Sequence, residues 1–494
     1  MAVTPAIVVL NASGIETANK LAVALGAKVH GREGRVLEAD VWFGNALDHV
    51  RNLFAAGVPI VGVCASGILI RAVAPLLNDK TAEAPVVSIS DNGGVVVPLL
   101  GGHHGANRLA RDIAKALGAK AAVTTAGDVS LGVSLDEPPK GWTLVNRKDA
   151  KEVVSVLLSG GGALLLGDER ADWLNDLPEG ESIRITCSIL AQNDLGPGHL
   201  QFSPQRITVG VGCARNCPPE ELADLVRSVL NEAGVCDAAI HSVNTISLKA
   251  DEPAILDVAK TLNAPLRLFS SSELEMETSR LATPSEVVFA EVGCHGVAEA
   301  AALAQIGDLG ELWFKKRKSA NATVALCLHQ KPLTELRGAA RGKLSVVGIG
   351  PGQAAWRTPE VSRLIADAEE LVGYGLYIDL LGPLAAGKIR SDFPLGGEEA
   401  RCRYALEQAG KGKNVALVCS GDAGIYAMGA LVFELLDRGP DHLGVSDAAR
   451  RIEVICSPGV SALQAAAARG GAPLGHDFCT ISLSDLLTPV SYTH

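Results

Sequence analysis

Short apolar runs that end in small, turn-forming residues recur along the chain, and most are followed by an amphipathic stretch. Ala6–Leu10 is such a run, and the apolar positions after it repeat at helical spacing until Gly26. Pro59–Cys64 is another, and it leads into a second helix-like stretch. Strand-length apolar runs that alternate with helical periodicity indicate β-strands and α-helices in turn. The pattern therefore predicts an α/β protein.

One stretch departs from this alternation of strand and helix. Val86–Ser90 and Val95–Leu99 flank the sequence Asp91-Asn92-Gly93-Gly94. Asn-Gly between two apolar runs is a strong signal for a tight hairpin turn. The two runs are therefore predicted to pair as antiparallel strands.

The strand–helix pattern starts afresh at three places, which predicts three α/β units. The predicted segments are the units 1–135, 206–330 and 343–494, the connecting region 136–205 and the linker 331–342. Within the connecting region, the polar, Gly- and Pro-containing stretch Asn193–Pro204 is predicted to be a flexible linker.

The net charge and the length of the apolar stretches argue against nucleic-acid and membrane partners. The 494 residues carry 44 Lys and Arg against 55 Asp and Glu, a formal net charge of −11, so no nucleic-acid partner is expected. The amino terminus lacks the basic region of a signal peptide, and no uncharged apolar stretch reaches the roughly 18 residues that span a bilayer. The chain is therefore predicted to be soluble and cytoplasmic, without a membrane partner.

The eleven cysteines are scattered, and only Cys213 and Cys217 lie close together, without a second pair at zinc-site spacing. No metal site is predicted.

Further polar residues of the middle unit stand near predicted strand ends. Lys249 and Glu252 form a Lys-x-x-Glu, and His295 and Glu299 are four positions apart. On one helix face the second pair would suit a proton relay or half of a metal site; a helix-entry turn with a local hydrogen bond is the alternative.

Three turns of small residues follow apolar runs in the last unit. They are Gly350-Pro351-Gly352, Ser420-Gly421-Asp422 and Ser457-Pro458-Gly459, and Ser461 is placed to cap the helix after the third. In open α/β sheets, ligands bind beyond the carboxyl ends of strands. The turns predict a ligand site, in which Asp422 holds a sugar hydroxyl or orders the loop backbone; ordinary strand-to-helix turns are the alternative.

The motifs GIGPG, VGYGLYIDLL, SGDAGIY and DFCTISLSDLLTP of this unit resemble the tetrapyrrole methylases, in particular the precorrin-3B C(17)-methyltransferases of cobalamin biosynthesis. The resemblance implies S-adenosylmethionine as cofactor and a tetrapyrrole polycarboxylate as substrate, and leaves a homodimer through the methylase part open. The implied cofactor contacts are Pro351, Ser420, Gly421, Asp422, Ile425, Ser461 and Ala462. The pattern covers the first of the family's two lobes and stops after residue 489, so a truncated methylase with half a cofactor site is expected.

The front of the chain resembles a second family of the same pathway. Residues 5–328, with the motifs SISDNGGVVVPLLGGHHGAN and ITVGVGCARNCPPEELADLV, are similar to cobalt-precorrin-5A hydrolase. That family opens a ring lactone of a corrinoid precursor and releases acetaldehyde. Such a reaction needs a water, a base, and donors for a developing oxyanion.

His103 is the predicted catalytic residue of this part, because a histidine at a strand-to-helix turn can shuttle protons near neutral pH. It stands at the family-matching position and His104 at a more variable one; a turn histidine that shapes the loop is the alternative. Ser66 and Arg71 are predicted to bind substrate. Ser66 is placed either to act as a nucleophile or to cap a helix, and Arg71 suits carboxylates unless it is a solvated surface charge.

These observations predict a cobalamin-biosynthesis fusion enzyme: a lactone-opening front half joined to a C(17)-methyltransferase of precorrin-3B with ring contraction. A non-catalytic protein that binds or channels corrinoid intermediates is the alternative. An α/β oxidoreductase is disfavoured, because no complete dinucleotide fingerprint is present. The methylase motifs are typical of the route in which cobalt enters late, whereas the hydrolase acts on a cobalt-bearing intermediate, so the state of the substrate stays open.

Overall fold

The computed structural model describes residues 3–77, 83–192, 195–439, 442–472 and 474–479. Its strands form four sheets. The chain divides into two compact units, one made of Met1–Val123 with Gly342–His494 and the other of Thr124–Arg341. The α/β class predicted from the sequence is confirmed.

The first sheet has seven strands in the order β3-β2-β1-β4-β5-β6-β7. Its elements are β1 Ala6–Val9, α1 Ile15–Leu25, β2 Lys28–Arg32, β3 Val41–Phe43, α2 Ala46–Ala55, β4 Ile60–Val63, α3 Ser66–Val73, β5 Val86–Ile89, β6 Val95–Leu100, α4 Ala106–Leu117 and β7 Lys120–Ala121. The predicted hairpin is confirmed, because β5 and β6 pair antiparallel.

The hairpin reverses β6, and β7 pairs parallel with β6, so these two strands run opposite to the other five. This decides which loops share an edge. Strands β1, β4 and β5 run parallel, so the turns after them lie at one edge. Leu100, at the end of β6, pairs with Val86 at the start of β5. The turn that follows β6 therefore lies at the opposite edge.

The connecting region forms a sheet of its own, with four strands in the order β8-β11-β10-β9. Its elements are β8 Trp142–Leu144, α6 Ala150–Leu158, β9 Ala163–Gly167, β10 Ile183–Cys187 and β11 His199–Pro204. Helix α5, Ala126–Leu131, belongs to the predicted first unit in sequence, but its Leu131 packs in the core of this sheet. The predicted linker Asn193–Pro204 is thus wrong at residues 199–204; residues 193 and 194 lie outside the described part. Gln201 looks polar in sequence, but it is buried and donates to the carbonyl of Leu190 at 2.7 Å, which satisfies its amide.

The third sheet has five strands in the order β14-β13-β12-β16-β15. Its elements are β12 Ile207–Cys213, α7 Pro219–Glu232, β13 Ile240–Ile246, α8 Pro253–Thr261, β14 Leu266–Phe269, α9 Ser271–Glu275, α10 Glu286–Val292, α11 Ala298–Ile306, β15 Gly310–Lys318 and β16 Ala322–His329. Gly210 lets α11 lie directly on this sheet, since a Cβ there would fall 1.8 Å from the carbonyl oxygen of Ala298.

The fourth sheet has five parallel strands in the order β19-β18-β20-β17-β21. Its elements are β17 Lys343–Gly348, α12 Pro359–Asp367, β18 Glu370–Tyr374, α13 Gly375–Asp379, β19 Ile389–Phe393, α14 Glu398–Gly410, β20 Asn414–Cys419, α15 Met428–Asp437, α16 Asp447–Arg450, β21 Glu453–Ser457 and α17 Ala462–Gly470. Across the described ranges, no helix combines the length and the apolar character that a membrane span requires.

Candidate functional site

The three glycine-rich turns of the last segment meet at one edge of the fourth sheet. They follow β17, β20 and β21, and β17 lies between the other two. Gly348 is aligned with Cys419 of β20, and Val347 with Ser457 of β21. The parallel register therefore brings together turns whose first residues lie 37 to 107 positions apart in sequence.

The backbones of these turns touch because glycine occupies the contact positions. Gly350 and Gly421 exchange backbone hydrogen bonds of 3.1 and 2.9 Å. A Cβ on Gly459 would lie 2.1 Å from the carbonyl oxygen of Gly421 and 2.4 Å from that of Gly348. The positive φ of Gly421, 65°, adds a second requirement for glycine.

Asp422 links two of the turns through its carboxylate. One oxygen accepts the backbone N–H of Gly424 at 2.8 Å, and the other accepts that of Gly459 at 3.0 Å. Of the two roles considered for this acid, ordering the loop backbone is the one whose bonds are present in the structure.

The other predicted cofactor residues surround this junction. Ser461 is buried and caps α17, where its hydroxyl accepts the backbone N–H of Gln464 at 3.3 Å. The remaining predicted contacts are exposed around the turns: Pro351, Ser420, Ile425 and Ala462. Their roles as cofactor contacts stay predictions.

A groove that the sequence did not indicate lies beside these turns. It has a volume of about 520 Å³, and its lining includes Trp356, Arg357, Val460 and Gln464. Arg469 lies over the Trp356 ring, 5.4 Å from its centroid. The sequence signal for this groove is weak, a single Trp-Arg pair after the first glycine turn.

A second crevice lies in the first sheet, at the carboxyl ends of β1, β4 and β5. It has a volume of about 450 Å³, and its lining includes Asn11, Cys64, Ser66, Ser88 and Asp91. Burial, reinforced by the charge of Asp91, raises the pKa of the Cys64 thiol to about 12. Cys64 is therefore a poor nucleophile at neutral pH.

Ser66 lines this crevice, but it does not cap the helix that follows it. Its hydroxyl donates to Ser88 Oγ at 3.0 Å, and Ser88 donates to the carbonyl of Cys64 at 2.8 Å. The N-cap position of α3 is Ala65, without a side-chain cap. The capping interpretation of Ser66 is therefore wrong.

The structure does not bring Arg71 and His103 to this crevice. Arg71 is exposed and donates to the carbonyl of Gly67 at 3.0 Å, and it is not among the described residues that line the crevice. His103 follows β6, at the edge opposite Ser66, in the short helical turn Gly102–His104. The side chain of His103 lies outside the described part of the structure, so its role stays a prediction.

In the middle unit, residues 206–330, His295 and Glu299 do not share a helix face. His295 stands in the turn before α11, where its Nδ1 lies 2.9 Å from Glu275. That hydrogen bond raises the pKa of the His295 ring. Glu299 is buried and accepts three backbone N–H groups, those of Ala282, Thr283 and Lys316. The relay or half-metal-site interpretation is wrong for this pair.

The described ranges contain no cluster of three or more His, Cys, Asp or Glu side chains suited to a metal ion.

This geometry is typical of α/β proteins that bind ligands at glycine-rich turns beyond the carboxyl ends of their strands. Three family models match the chain: "Cobalamin synthesis G N-terminal" over residues 48–128, "Cobalamin synthesis G C-terminus" over 207–327, and "Tetrapyrrole (Corrin/Porphyrin) Methylases" over 343–493. The chain belongs to the cobalamin-synthesis G family and joins its two domains to a tetrapyrrole methylase domain. Both resemblances inferred from the motifs are confirmed.

Curated relatives match each part. Protein CobE of Sinorhizobium sp. is 44% identical over 24% of this chain and 78% of its own length. Cobalt-precorrin-5A hydrolase of Priestia megaterium is 28% identical over 56% of this chain and 80% of its own length. Precorrin-3B C(17)-methyltransferase of Sinorhizobium sp. is 45% identical over 30% of this chain and 56% of its own length. The chain thus spans about half the length of the first methyltransferase relatives.

Proposed function

We propose that the last segment binds S-adenosylmethionine and directs methyl transfer to C(17) of precorrin-3B, a tetrapyrrole precursor of cobalamin. The observation that carries this proposal is the junction of the turns at Gly350, Gly421 and Gly459. Closely packed, side-chain-free backbone at the carboxyl ends of parallel strands suits a flat, polar cofactor. The match to tetrapyrrole methylases supports S-adenosylmethionine as that cofactor.

The bound cofactor would supply an electrophilic methyl group on a sulfonium with a neutral thioether leaving group. The task of the protein is then to orient the methyl donor and the acceptor carbon and to exclude water. Asp422 fixes the turn after β20 against Gly459, and Ser461 fixes the start of α17. The exposed backbone and side chains at Ser420 and Ile425 are left to contact the ligand.

We further propose that the front half opens a lactone of a corrinoid precursor. The name of its relative, cobalt-precorrin-5A hydrolase, supports hydrolysis, and the family resemblance implies the lactone. The crevice at Ser66 and Ser88 has a volume in the range of small-molecule sites, about 300–1,000 Å³. His103, identified from its motif, is one candidate base for this reaction and lies away from that crevice.

The methyl-donor site is tested by replacing Asp422 with Ala in the full chain. The variant loses the hydrogen bond that joins two turns, from Gly459, and the one within the turn after β20, from Gly424. S-adenosylmethionine binding should weaken about tenfold, which calorimetry measures. Asp437→Ala, an exposed aspartate on α15, is the matched control and should bind like the unchanged chain. Equal affinity in the Asp422 variant, or no binding by the unchanged chain, would contradict the proposal.

A further inference from the structure

A buried acid–base pair lies at the carboxyl edge of the third sheet, in the middle unit. Strands β12 and β13 run parallel, so the turns after Cys213 and Ile246 lie at the same edge. Lys249 and Glu252 stand in the second of these turns, directly before α8. Glu252 is only 1% exposed, and the Lys249 side chain is 14% exposed.

The side chains of Glu252 and Lys249 keep polar atoms that have no close hydrogen-bond partner in the described part of the chain. Glu252 Oε2 lies 3.6 Å from Lys249 Nζ and 3.4 Å from Arg215 Nη1, both long contacts. Glu252 Oε1 is buried without any hydrogen-bond partner among the described residues. A buried carboxylate oxygen without a donor costs free energy, so a partner from outside the protein is indicated.

Among the titratable side chains of this cluster, Glu252 is the one that can accept a proton. The titratable groups that face it are Arg215, Lys249, Cys213 and Cys217. Burial, followed by the charge of Glu252, raises the pKa of Cys213 to about 12, so its thiol stays protonated near neutral pH. Arg215 is held by Asp251 at 2.7 Å. Lys249 remains as the cation whose N–H groups are available to a ligand.

A ligand that fits must bring a donor to Glu252 Oε1 and an acceptor to Lys249 Nζ. A metal ion offers no acceptor and would be repelled by Lys249 and Arg215, and a fully ionised phosphate offers no donor. A water beside an ester carbonyl offers both, since the water O–H donates and the carbonyl oxygen accepts.

We propose that Glu252 and Lys249 are the catalytic pair for opening a cyclic ester, with Glu252 Oε1 taking the proton of the attacking water and Lys249 donating to the developing oxyanion. The water oxygen bonds to the carbonyl carbon as its proton passes to Glu252. The ring C–O bond then breaks, and the same proton passes to the leaving oxygen. Lactone and water thus give one hydroxy acid, and both side chains return to their starting state. Arg215 acts as a positioning residue through Glu252.

The identity of the ester rests on the proposed lactone-opening function of the front half, for which Glu252 and Lys249, rather than the crevice at Ser66 or His103, would hold the reacting atoms. The test therefore follows consumption of the cobalt-precorrin-5A lactone by the full chain, read by mass spectrometry, with S-adenosylmethionine affinity measured in parallel. Glu252→Gln and Lys249→Met should each lower kcat about 100-fold or more with little change in KM. The exposed residues of α8 give matched controls, Asp257→Asn and Lys260→Met, which should keep the kcat of the unchanged chain.

The split between kcat and KM separates a catalytic role from a structural one. A structural defect in Glu252→Gln should change KM and thermal stability together, whereas a catalytic role lowers kcat alone. Glu252→Gln is nearly isosteric, so it decides the matter if Lys249→Met does not fold. Normal kcat in Glu252→Gln, or a loss in His103→Ala with none in Glu252→Gln, would overturn this inference alone. No turnover by the unchanged chain would overturn the lactone-opening function with it.

Discussion

His30 and His49 form a buried pair whose Nδ1 and Nε2 atoms lie 2.8 Å apart. The Phe43 ring stacks on His49, with centroids 4.2 Å apart. Two neutral imidazoles satisfy each other here, one donating and one accepting. Burial lowers the pKa of both rings, and for His49 the neighbouring His30 adds to the effect. Nothing in the local sequence shows this pair, because the residues belong to a strand and a helix that meet only in the folded sheet.

Because of this pair, we expect the compact unit made of Met1–Val123 and Gly342–His494 to lose stability in mild acid. Unfolding restores an ordinary histidine pKa of about 6.5, so the unfolded chain binds more protons below that pH. The free energy of unfolding should therefore fall as the pH drops from about 7 to 5, which urea titrations at several pH values measure. The double variant His30→Leu/His49→Leu should depend less steeply on pH. An unchanged slope in that variant would assign the acid sensitivity to other groups.

At the scale of elements, the sequence predicted the turns of the last segment well, because each is local. The glycines, Asp422 and Ser461 all stand in recognisable strand-to-helix turns. Their mutual contact depends on the strand order, in which β17 lies between β20 and β21. That order also explains why three glycines are required where backbone meets backbone.

Gly459→Ala tests this junction of elements. The added methyl group would meet two carbonyl oxygens of the backbone, which cannot rotate away as a side chain can. The variant should lose roughly 2–3 kcal/mol of stability, as overpacked sites do, and bind S-adenosylmethionine more weakly. Gly470→Ala has no atom within 4 Å of the new carbon and should stay near neutral. Thermal unfolding of both variants gives the comparison; equal melting temperatures would contradict the close packing.

At the scale of the whole molecule, the first and last segments of the chain share one compact unit. A single apolar cluster contains Leu53 and Leu69 from the front and Val361, Leu381 and Leu384 from the back. Segments far apart in sequence therefore share a core. The sequence predicted units that follow one another along the chain, because linkers and periodicity carry no information on which units pack together.

Leu384→Ala tests the shared core. Removing this buried side chain should cost about 2–5 kcal/mol. Hydrogen exchange should then quicken in β1 and β4 as well as in β17 and β20, while β12 in the other unit stays protected. Leu395→Ala, at a leucine that is 63% exposed, should change little. Faster exchange confined to the last segment would mean that the two segments unfold independently.

The sequence by itself determined the α/β class, the hairpin after β5, the glycine-rich turns and the family membership. These follow from periodicity, turn chemistry and motifs, which are properties of neighbouring residues. Only the tertiary structure decided that residues 199–204 form a buried strand, that His103 and Ser66 lie at opposite edges of a sheet, and that Glu252 is buried beside Lys249. Burial and shared edges depend on strand order and on packing between distant segments, and the same packing decides whether a buried polar side chain finds a hydrogen-bond partner.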